Sequence, residues 1–122
     1  MIEKIDGMPA GVTGLRASGK LTKEDYTEVL EPALSAAVAS GAVRLLFVLD
    51  SYDGLEWGAM PEDLKTGFRA WFRDHESWRK MAFVTDVEWI ARATRAFAWV
   101  APGELEVYPL AEEDAARAWV AG

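Results

Sequence analysis

The sequence predicts an α/β protein with a single mixed, mostly parallel five-stranded sheet and about four helices. Short apolar segments alternate along the chain with longer segments whose apolar residues recur at helical spacing, which is typical of βαβ units. The continuous apolar run at residues 45–49 indicates a central strand covered on both faces. No repeat or low-complexity linker interrupts the 122 residues, so we expect one domain over residues 1–122.

The first elements are two strands and a helix. Residues 2–5 and 12–20 have strand patterns, and the turn between them is rich in Gly and Pro, so we expect antiparallel pairing. Thr22 is the predicted N-cap of the following helix, because Asp25, three positions on, can reach back to it. Pro32 lies inside that helix and should bend it, since proline cannot donate the backbone hydrogen bond.

The central strand and a second helix follow. The apolar run ends at Asp50 and leads through an acidic loop to Pro61, which fits the first position of a helix with acidic residues in its first turn. The apolar residues of this helix are expected to share one face. They are Leu64, Phe68, Trp71 and Phe72.

The last part of the chain predicts two more strands and two more helices. The strands are residues 81–85 and 104–108. Asp86 can cap the helix between them, whose apolar side carries Trp89, Ile90, Ala93, Phe97 and Val100. A closing helix over residues 110–120 is expected to turn three residues inward, namely Ala115, Ala118 and Trp119.

The loop after the central strand is the candidate site. In open α/β sheets, ligands bind at the carboxyl ends of the strands, which is where this loop lies. We therefore expect a ligand or partner to contact its residues, which are Asp50, Ser51, Tyr52, Asp53 and Gly54. Trp57 follows closely, and its large indole must either pack on the protein or form the rim of a pocket or partner contact.

Aromatic residues are abundant next to this loop. Phe68, Trp71 and Phe72 share a face of the predicted helix, and Trp57 precedes that helix closely enough to fold over it. We expect these four residues to line one wall of an apolar cavity beside the loop. The alternative is that they fill a fully packed core, as aromatics at helical spacing usually do.

The same loop offers carboxylates to an enzyme. Asp50, Asp53 and Glu56 are close in sequence, and paired carboxylates can perform acid–base chemistry or bind magnesium. Acidic loop residues more often form turns and favour helix starts, so an enzyme remains the alternative interpretation. The chain has one histidine, His75, and no cysteine, too few ligands for a zinc site. We predict no catalytic residue, no metal and no cofactor.

Charge and hydropathy limit the partners and the location. The chain has 13 Lys and Arg residues against 20 Asp and Glu, a formal net charge of −7. A nucleic-acid partner is therefore not expected, because electrostatic attraction supplies most non-specific affinity for phosphate backbones. The first residues lack the pattern of a signal peptide, and no apolar run approaches the ~18 residues of a membrane span. We expect a cytoplasmic protein without stable membrane insertion.

Several segments, in their order along the chain, carry a resemblance. They are Lys23-Glu-Asp-Tyr26, the helix-internal Pro32, Tyr52-Asp-Gly54, Met81-Ala-Phe-Val-Thr-Asp-Val-Glu-Trp89, Val107-Tyr-Pro-Leu and Ala118-Trp119. With this pattern over nearly its whole length, the chain resembles the SpoIIAA-like family of small bacterial proteins. That family is related in fold to STAS domains and, more distantly, to CRAL-TRIO lipid-binding domains. The resemblance implies a sheet wound as a βα superhelix, and it transfers no enzyme activity.

The resemblance implies two kinds of binding. A STAS-type switch phosphorylates a serine in an Asp-Ser-Ser-Gly loop, but Tyr52 and Asp53 occupy the serine positions when Gly54 is aligned with the motif glycine, and Ser51 is displaced. A CRAL-TRIO-like protein instead holds an apolar ligand between the sheet and the helices. We therefore expect a non-enzymatic protein that binds a protein partner or a small apolar molecule, with homodimer formation left open.

Overall fold

The computed structural model describes residues 1–52, 54–55, 77–98 and 103–122 of the chain. Its strands are β1 (Ile2–Lys4), β2 (Thr13–Ala17), β3 (Lys20–Leu21), β4 (Val43–Leu49), β5 (Gly54–Leu55), β6 (Trp78–Thr85) and β7 (Glu104–Tyr108). Five of them form one sheet in the order β1-β2-β4-β6-β7, in which β1 is antiparallel to β2 and the other neighbours are parallel. The predicted α/β class and mixed, mostly parallel five-stranded sheet are confirmed.

A separate two-stranded pairing corrects the prediction of a single sheet. The segment predicted as one strand over residues 12–20 leaves the main sheet after Ala17, and β3 then pairs in parallel with β5. Gly19 lies between the two strands with a φ of 66°, a left-handed conformation that turns the chain out of the first sheet. The Ser51 hydroxyl accepts a hydrogen bond from the Gly19 N–H at 2.9 Å and holds this turn beside the end of β4.

The described residues contain three α-helices: α1 (Glu31–Ala39), α2 (Glu88–Phe97) and α3 (Glu113–Ala121). This is one fewer than the number predicted, and the helix predicted to start at Pro61 lies outside the described residues. A π-helical segment (Asp25–Leu30) leads into α1, and a 3₁₀ turn (Leu110–Glu112) leads into α3. Within the described ranges, no helix is long and apolar enough to cross a membrane.

The first helical segment begins with the predicted capping interaction. The Thr22 N–H donates to Asp25 Oδ2 at 2.8 Å, and the Asp25 N–H donates to Thr22 Oγ1 at 3.3 Å. Farther on, the Glu31 N–H donates to the Tyr26 carbonyl oxygen, one residue farther back than in an α-helix. Pro32 follows directly. Because it has no N–H and its ring crowds the preceding turn, the wider π-helical turn relieves the conflict predicted at this position.

The central strand β4 separates two apolar clusters on opposite faces of the sheet. Leu45 and Leu49 belong to the cluster under α1 and α2, whereas Leu46 and Val48 belong to the cluster under α3. Because successive side chains of a strand point to opposite faces, this alternation gives a sheet covered by helices on both sides. The predicted central position of this strand is confirmed.

The buried stripe of α3 differs from the predicted one. Ala116 and Val120 are fully buried against the sheet, whereas Ala115 and Ala118, which were expected to face inward, are exposed. The first three residues of the predicted helix form the 3₁₀ turn instead. The α-helical repeat therefore starts at Glu113, and its buried stripe is offset from the one that a helix starting at residue 110 would present.

Two cations from the sheet hold the C-terminal end of α3. Arg44 Nη1 donates to the Val120 carbonyl oxygen at 2.9 Å, and Lys80 Nζ donates to the Trp119 carbonyl oxygen at 3.1 Å. Carbonyl groups at the end of a helix carry partial negative charge, so both contacts are favourable. Lys80 Nζ also lies 5.0 Å from the centre of the Trp119 ring. These contacts fix α3 over its face of the sheet.

Candidate ligand-binding site

An apolar cavity of about 450 Å³ lies on the face of the sheet that carries α1 and α2. This volume falls within the roughly 300–1,000 Å³ that is typical of small-molecule sites. The floor of the cavity consists of residues from β4, β6 and β7, the three strands on one side of the sheet. These floor residues are Phe47, Leu49, Met81, Phe83 and Leu105.

Two stacked aromatic rings form the middle of this floor. Phe47 of β4 and Phe83 of β6 are direct neighbours in the parallel register, and alternate residues of each strand face the same side. Their ring centres lie 5.4 Å apart, with an angle of 12° between the ring planes. The two rings therefore stack against each other and form an aromatic pair in the middle of the apolar floor.

Two helical segments contribute the walls. Tyr26 and Leu30 come from the π-helical segment, and such wide turns occur frequently at functional sites. The wall on the other side comes from α2, through Ile90, Ala93 and Thr94. These positions recur at helical spacing, so one face of α2 is turned toward the cavity.

The rim of the cavity contains an exposed tryptophan. Trp89, in the first turn of α2, has 60% of its surface exposed, although it also lines the cavity. The rings of Trp89 and Tyr52 pack edge to face, with 5.6 Å between their centres and 73° between their planes. Tyr52 follows β4 by three residues, so one residue of the predicted loop lies in the cavity wall.

The polar groups of the cavity are few. Tyr26 is almost fully buried, and this burial raises the pKa of its hydroxyl to about 12, with smaller contributions from the nearby Tyr52 and Asp25. The Thr94 hydroxyl donates to the Ile90 carbonyl oxygen at 2.8 Å and is already hydrogen-bonded. At neutral pH the tyrosine hydroxyl is therefore a neutral hydrogen-bond donor.

Asp50, the first residue of the predicted site, forms ion pairs on the α3 side of the sheet. Arg16 Nη1 donates to both of its carboxylate oxygens, at 2.9 and 3.1 Å, while Arg16 Nη2 donates to both oxygens of Glu113 at 2.9 and 3.0 Å. The side chains of Asp50 and Tyr52 thus lie on different faces of the sheet. Within the described ranges, no three His, Cys, Asp or Glu side chains are grouped so that they could hold a metal ion.

The rest of the predicted site divides into two groups. Ser51 binds the Gly19 N–H, and the backbone of Gly54 pairs with Lys20 in the two-stranded sheet. The other predicted residues lie outside the described part of the chain, and with them the predicted aromatic wall; they are Asp53, Trp57, Phe68, Trp71 and Phe72. Glu56 of the enzyme alternative also lies outside it.

Comparison with known proteins places the chain in a family. The model of the SpoIIAA-like family matches residues 12–121. The chain belongs to the SpoIIAA-like family. A crystal structure of an uncharacterised DUF3478-family protein with a SpoIIAA-like fold, from Shewanella loihica PV-4, is similar to it with a TM-score of 0.68 and 27% identity. The similarity covers 98% of this chain and 93% of that one. Among curated proteins, none matches the chain.

In this SpoIIAA-like domain, several cavity residues were not predicted as part of the site. Trp89 and Ile90 were expected on the apolar side of their helix. A usable signal was present in that pattern, because Trp89 and Ile90 are adjacent and cannot both point straight into a core. One of them had to lie at the edge of the buried face, where Trp89 is found.

Proposed function

We propose that this SpoIIAA-like protein is a non-enzymatic binding protein that holds a small apolar molecule in the cavity beside the carboxyl end of β4. The observation that carries the proposal is an open space of about 450 Å³ whose described lining is almost entirely apolar. An apolar molecule that enters it removes its own surface and that of the floor from water, which is favourable by about 25 cal/mol per Å². Because the described walls already stand apart, little rearrangement opposes binding.

Trp89 supports an exchangeable ligand. A tryptophan that is mostly exposed yet contacts an aromatic partner at the rim of a cavity keeps apolar surface available that a ligand can cover. Tyr52 holds the indole from the loop side. Covering the indole with a ligand changes its fluorescence, so the site contains its own reporter.

The pairing of Asp50 supports binding rather than catalysis. Both of its carboxylate oxygens accept hydrogen bonds from Arg16, and Arg16 is in turn held by Glu113. Such a fixed network orients side chains and leaves Asp50 engaged on the opposite face from the cavity. The net charge of −7 further supports a protein without a nucleic-acid partner, and we propose that it acts in the cytoplasm.

The test is a ligand titration with a cavity-filling variant. Butyrophenone, a small aromatic ketone, is titrated into the full chain while thermal unfolding and tryptophan fluorescence are followed. The melting temperature of the wild type is expected to rise with ligand concentration, because the ligand binds the folded state. Ala93→Trp places an indole in the cavity and is expected to abolish this rise.

Ala96→Trp is the matched control, because Ala96 is exposed elsewhere on α2 and should leave the cavity open. It is expected to respond to the ketone as the wild type does. Equal responses of the Ala93 and Ala96 variants would show binding elsewhere on the protein and overturn the proposal. The absence of any response, together with no bound small molecule in native mass spectra of gently purified protein, would also overturn it and favour a protein partner.

A further inference from the structure

Tyr26 is a largely buried residue of the cavity lining whose hydroxyl forms no hydrogen bond in the described part of the chain. Tyr26 has only 6% of its surface exposed and lines the cavity. No group within the described part of the chain forms a hydrogen bond with its hydroxyl. A hydroxyl on a largely buried side chain gains stabilisation when an acceptor enters beside it and forms a hydrogen bond. An acceptor on a molecule in the cavity can supply the partner that the Tyr26 hydroxyl lacks.

A second hydroxyl lies near the first. Tyr52 lines the same cavity, and it is close enough that its charge contributes to the raised pKa of Tyr26. The third hydroxyl in the lining, that of Thr94, already donates its proton to a backbone carbonyl. Tyr26 and Tyr52 thus contribute two hydroxyl groups to the lining of an otherwise largely apolar space.

The charges around Tyr26 disfavour an anionic ligand. The described lining contains no Lys, Arg or His, and the carboxylate of Asp25 contributes to the raised pKa of Tyr26. Transferring a carboxylate into such a site would leave it without a cation, which is strongly unfavourable because the charge loses its contacts with water. A neutral acceptor, such as a carbonyl oxygen, loses much less on transfer and gains the hydrogen bonds.

We infer that the ligand is an uncharged amphiphile whose apolar body lies on Phe47 and Phe83 and whose carbonyl or ether oxygen accepts hydrogen bonds from Tyr26 and Tyr52. This inference rests on the proposed function and specifies the chemical class of its ligand. Ketones, esters and aldehydes with an apolar body belong to the class. Fatty acids, which are anions at neutral pH, do not.

Three probes with the same number of carbon atoms test the inference. Butylbenzene has no polar group, butyrophenone has a neutral carbonyl, and 4-phenylbutanoate has a carboxylate. Their dissociation constants are measured at pH 7.5 by the quenching of tryptophan fluorescence and by calorimetry. We expect butyrophenone to bind about 3–10-fold more tightly than butylbenzene after correction for their different solubilities, and 4-phenylbutanoate to bind most weakly.

The variants Tyr26→Phe and Tyr52→Phe locate the hydrogen bonds. Each is expected to weaken butyrophenone about 3–10-fold and to leave butylbenzene unchanged or slightly stronger, because phenylalanine keeps the ring and removes only the hydroxyl. Tyr108→Phe is the matched control, since Tyr108 packs near Trp119 on the α3 side of the sheet. It should bind all three probes as the wild type does.

The outcomes separate this inference from the proposed function. If butylbenzene and butyrophenone bind in the cavity with equal affinity in the wild type and in Tyr26→Phe, the cavity binds ligands but the inference is wrong. Preference for 4-phenylbutanoate would overturn the inference in the same way. If no probe binds and Ala93→Trp changes nothing, the proposed function fails and the inference fails with it.

Discussion

Asp25 Oδ1 accepts a hydrogen bond from the Ile2 backbone N–H at 3.0 Å, which joins the start of the first helical segment to the edge strand β1. The other oxygen of this carboxylate accepts from the Thr22 N–H and hydroxyl. Burial alone would raise the pKa of Asp25, but the hydrogen bonds from Thr22 and Ile2 outweigh it and lower the pKa below its ordinary value of 3.8. Because Ile2 lines the cavity, this contact also positions part of its wall.

Removing this carboxylate should destabilise the fold in a pH-dependent way. Asp25→Ala is expected to cost about 1–2 kcal/mol in urea unfolding at pH 7, as the loss of a helix cap does. A lowered pKa in the folded state means that the wild-type advantage is present above pH ~4 and is lost as the pH falls through the folded pKa. Glu24→Ala, exposed on the same segment, is the control. A difference between wild type and Asp25→Ala that does not shrink on acidification contradicts this account.

Arg16 should stabilise the fold through its two carboxylate partners. Arg16→Ala leaves Asp50 and Glu113 without their shared cation, and all three side chains are partly exposed. We expect a loss of about 1 kcal/mol in the free energy of unfolding, because exposed ion pairs contribute little individually and somewhat more in a network. The loss should diminish in 1 M salt, where the charges are screened. Arg92→Ala is the control, because Arg92 is exposed on α2. An equal loss of stability in Arg16→Ala and Arg92→Ala would contradict a stabilising role of the network.

Ionisation of Tyr26 should weaken the fold at high pH. Its pKa rises from 10.0 to about 12 on folding, so the folded state holds this proton more tightly than the unfolded state. The contribution of Tyr26 is therefore complete below pH 10 and is lost as the pH rises through about 12. Urea unfolding of wild type and Tyr26→Phe at pH 8 and pH 11 measures it. The wild type is expected to lose more stability than the variant over this interval, and equal losses would be evidence against the burial of an unionised hydroxyl.

The two faces of the sheet should respond differently to truncation. Leu46, on the α3 side, is fully buried, and Leu46→Ala is expected to cost about 2–5 kcal/mol because it leaves a void in a packed cluster. Trp89→Ala removes a larger side chain, yet it should cost less than about 1 kcal/mol, since most of the ring is exposed. Chemical denaturation and butyrophenone titration measure both quantities. The prediction fails if Trp89→Ala destabilises as much as Leu46→Ala or leaves ligand affinity unchanged.

Ser51 is not expected to act as an obligatory phosphorylation switch. Its hydroxyl accepts the Gly19 N–H at the surface, where water can replace it, so Ser51→Ala should cost less than about 1 kcal/mol. The variant should bind butyrophenone within twofold of the wild type. Phosphoproteomics of the native protein provides the second measurement, and stoichiometric phosphate on Ser51 that alters binding would refute the prediction.

The strand pattern made the fold predictable, because it depends on local alternation. Residues 45–49 show by themselves that both faces of β4 are covered, and Thr22 with Asp25 shows where a helix begins. Pro32 predicts that the helix cannot be regular at this position, but it does not predict how the chain adapts. Both a bend and a π-helical turn accommodate the missing N–H and the proline ring.

The site was harder to predict because its parts are distant in sequence. Tyr26, Tyr52 and Trp89 meet only after the strands have taken their order, and no local pattern contains that order. The ion pair of Asp50 was hard to predict for the same reason. Strand alternation places it on the face of Leu46 and Val48, but its partner Arg16 comes from another strand.

The residues of β4 and β6 that line the cavity lie on the face of the sheet opposite to the cluster under α3, which has a consequence for evolutionary change. Phe47 and Phe83 line the cavity, whereas their sequence neighbours Leu46 and Val84 are buried under α3. Mutations that create a new specificity usually reduce stability, which limits how many a protein can accumulate. Under the proposed function, changes at Phe47 or Phe83 would alter the ligand specificity and leave the cluster under α3 in place. Related proteins could then differ in ligand while they keep the packing on this second face of the sheet.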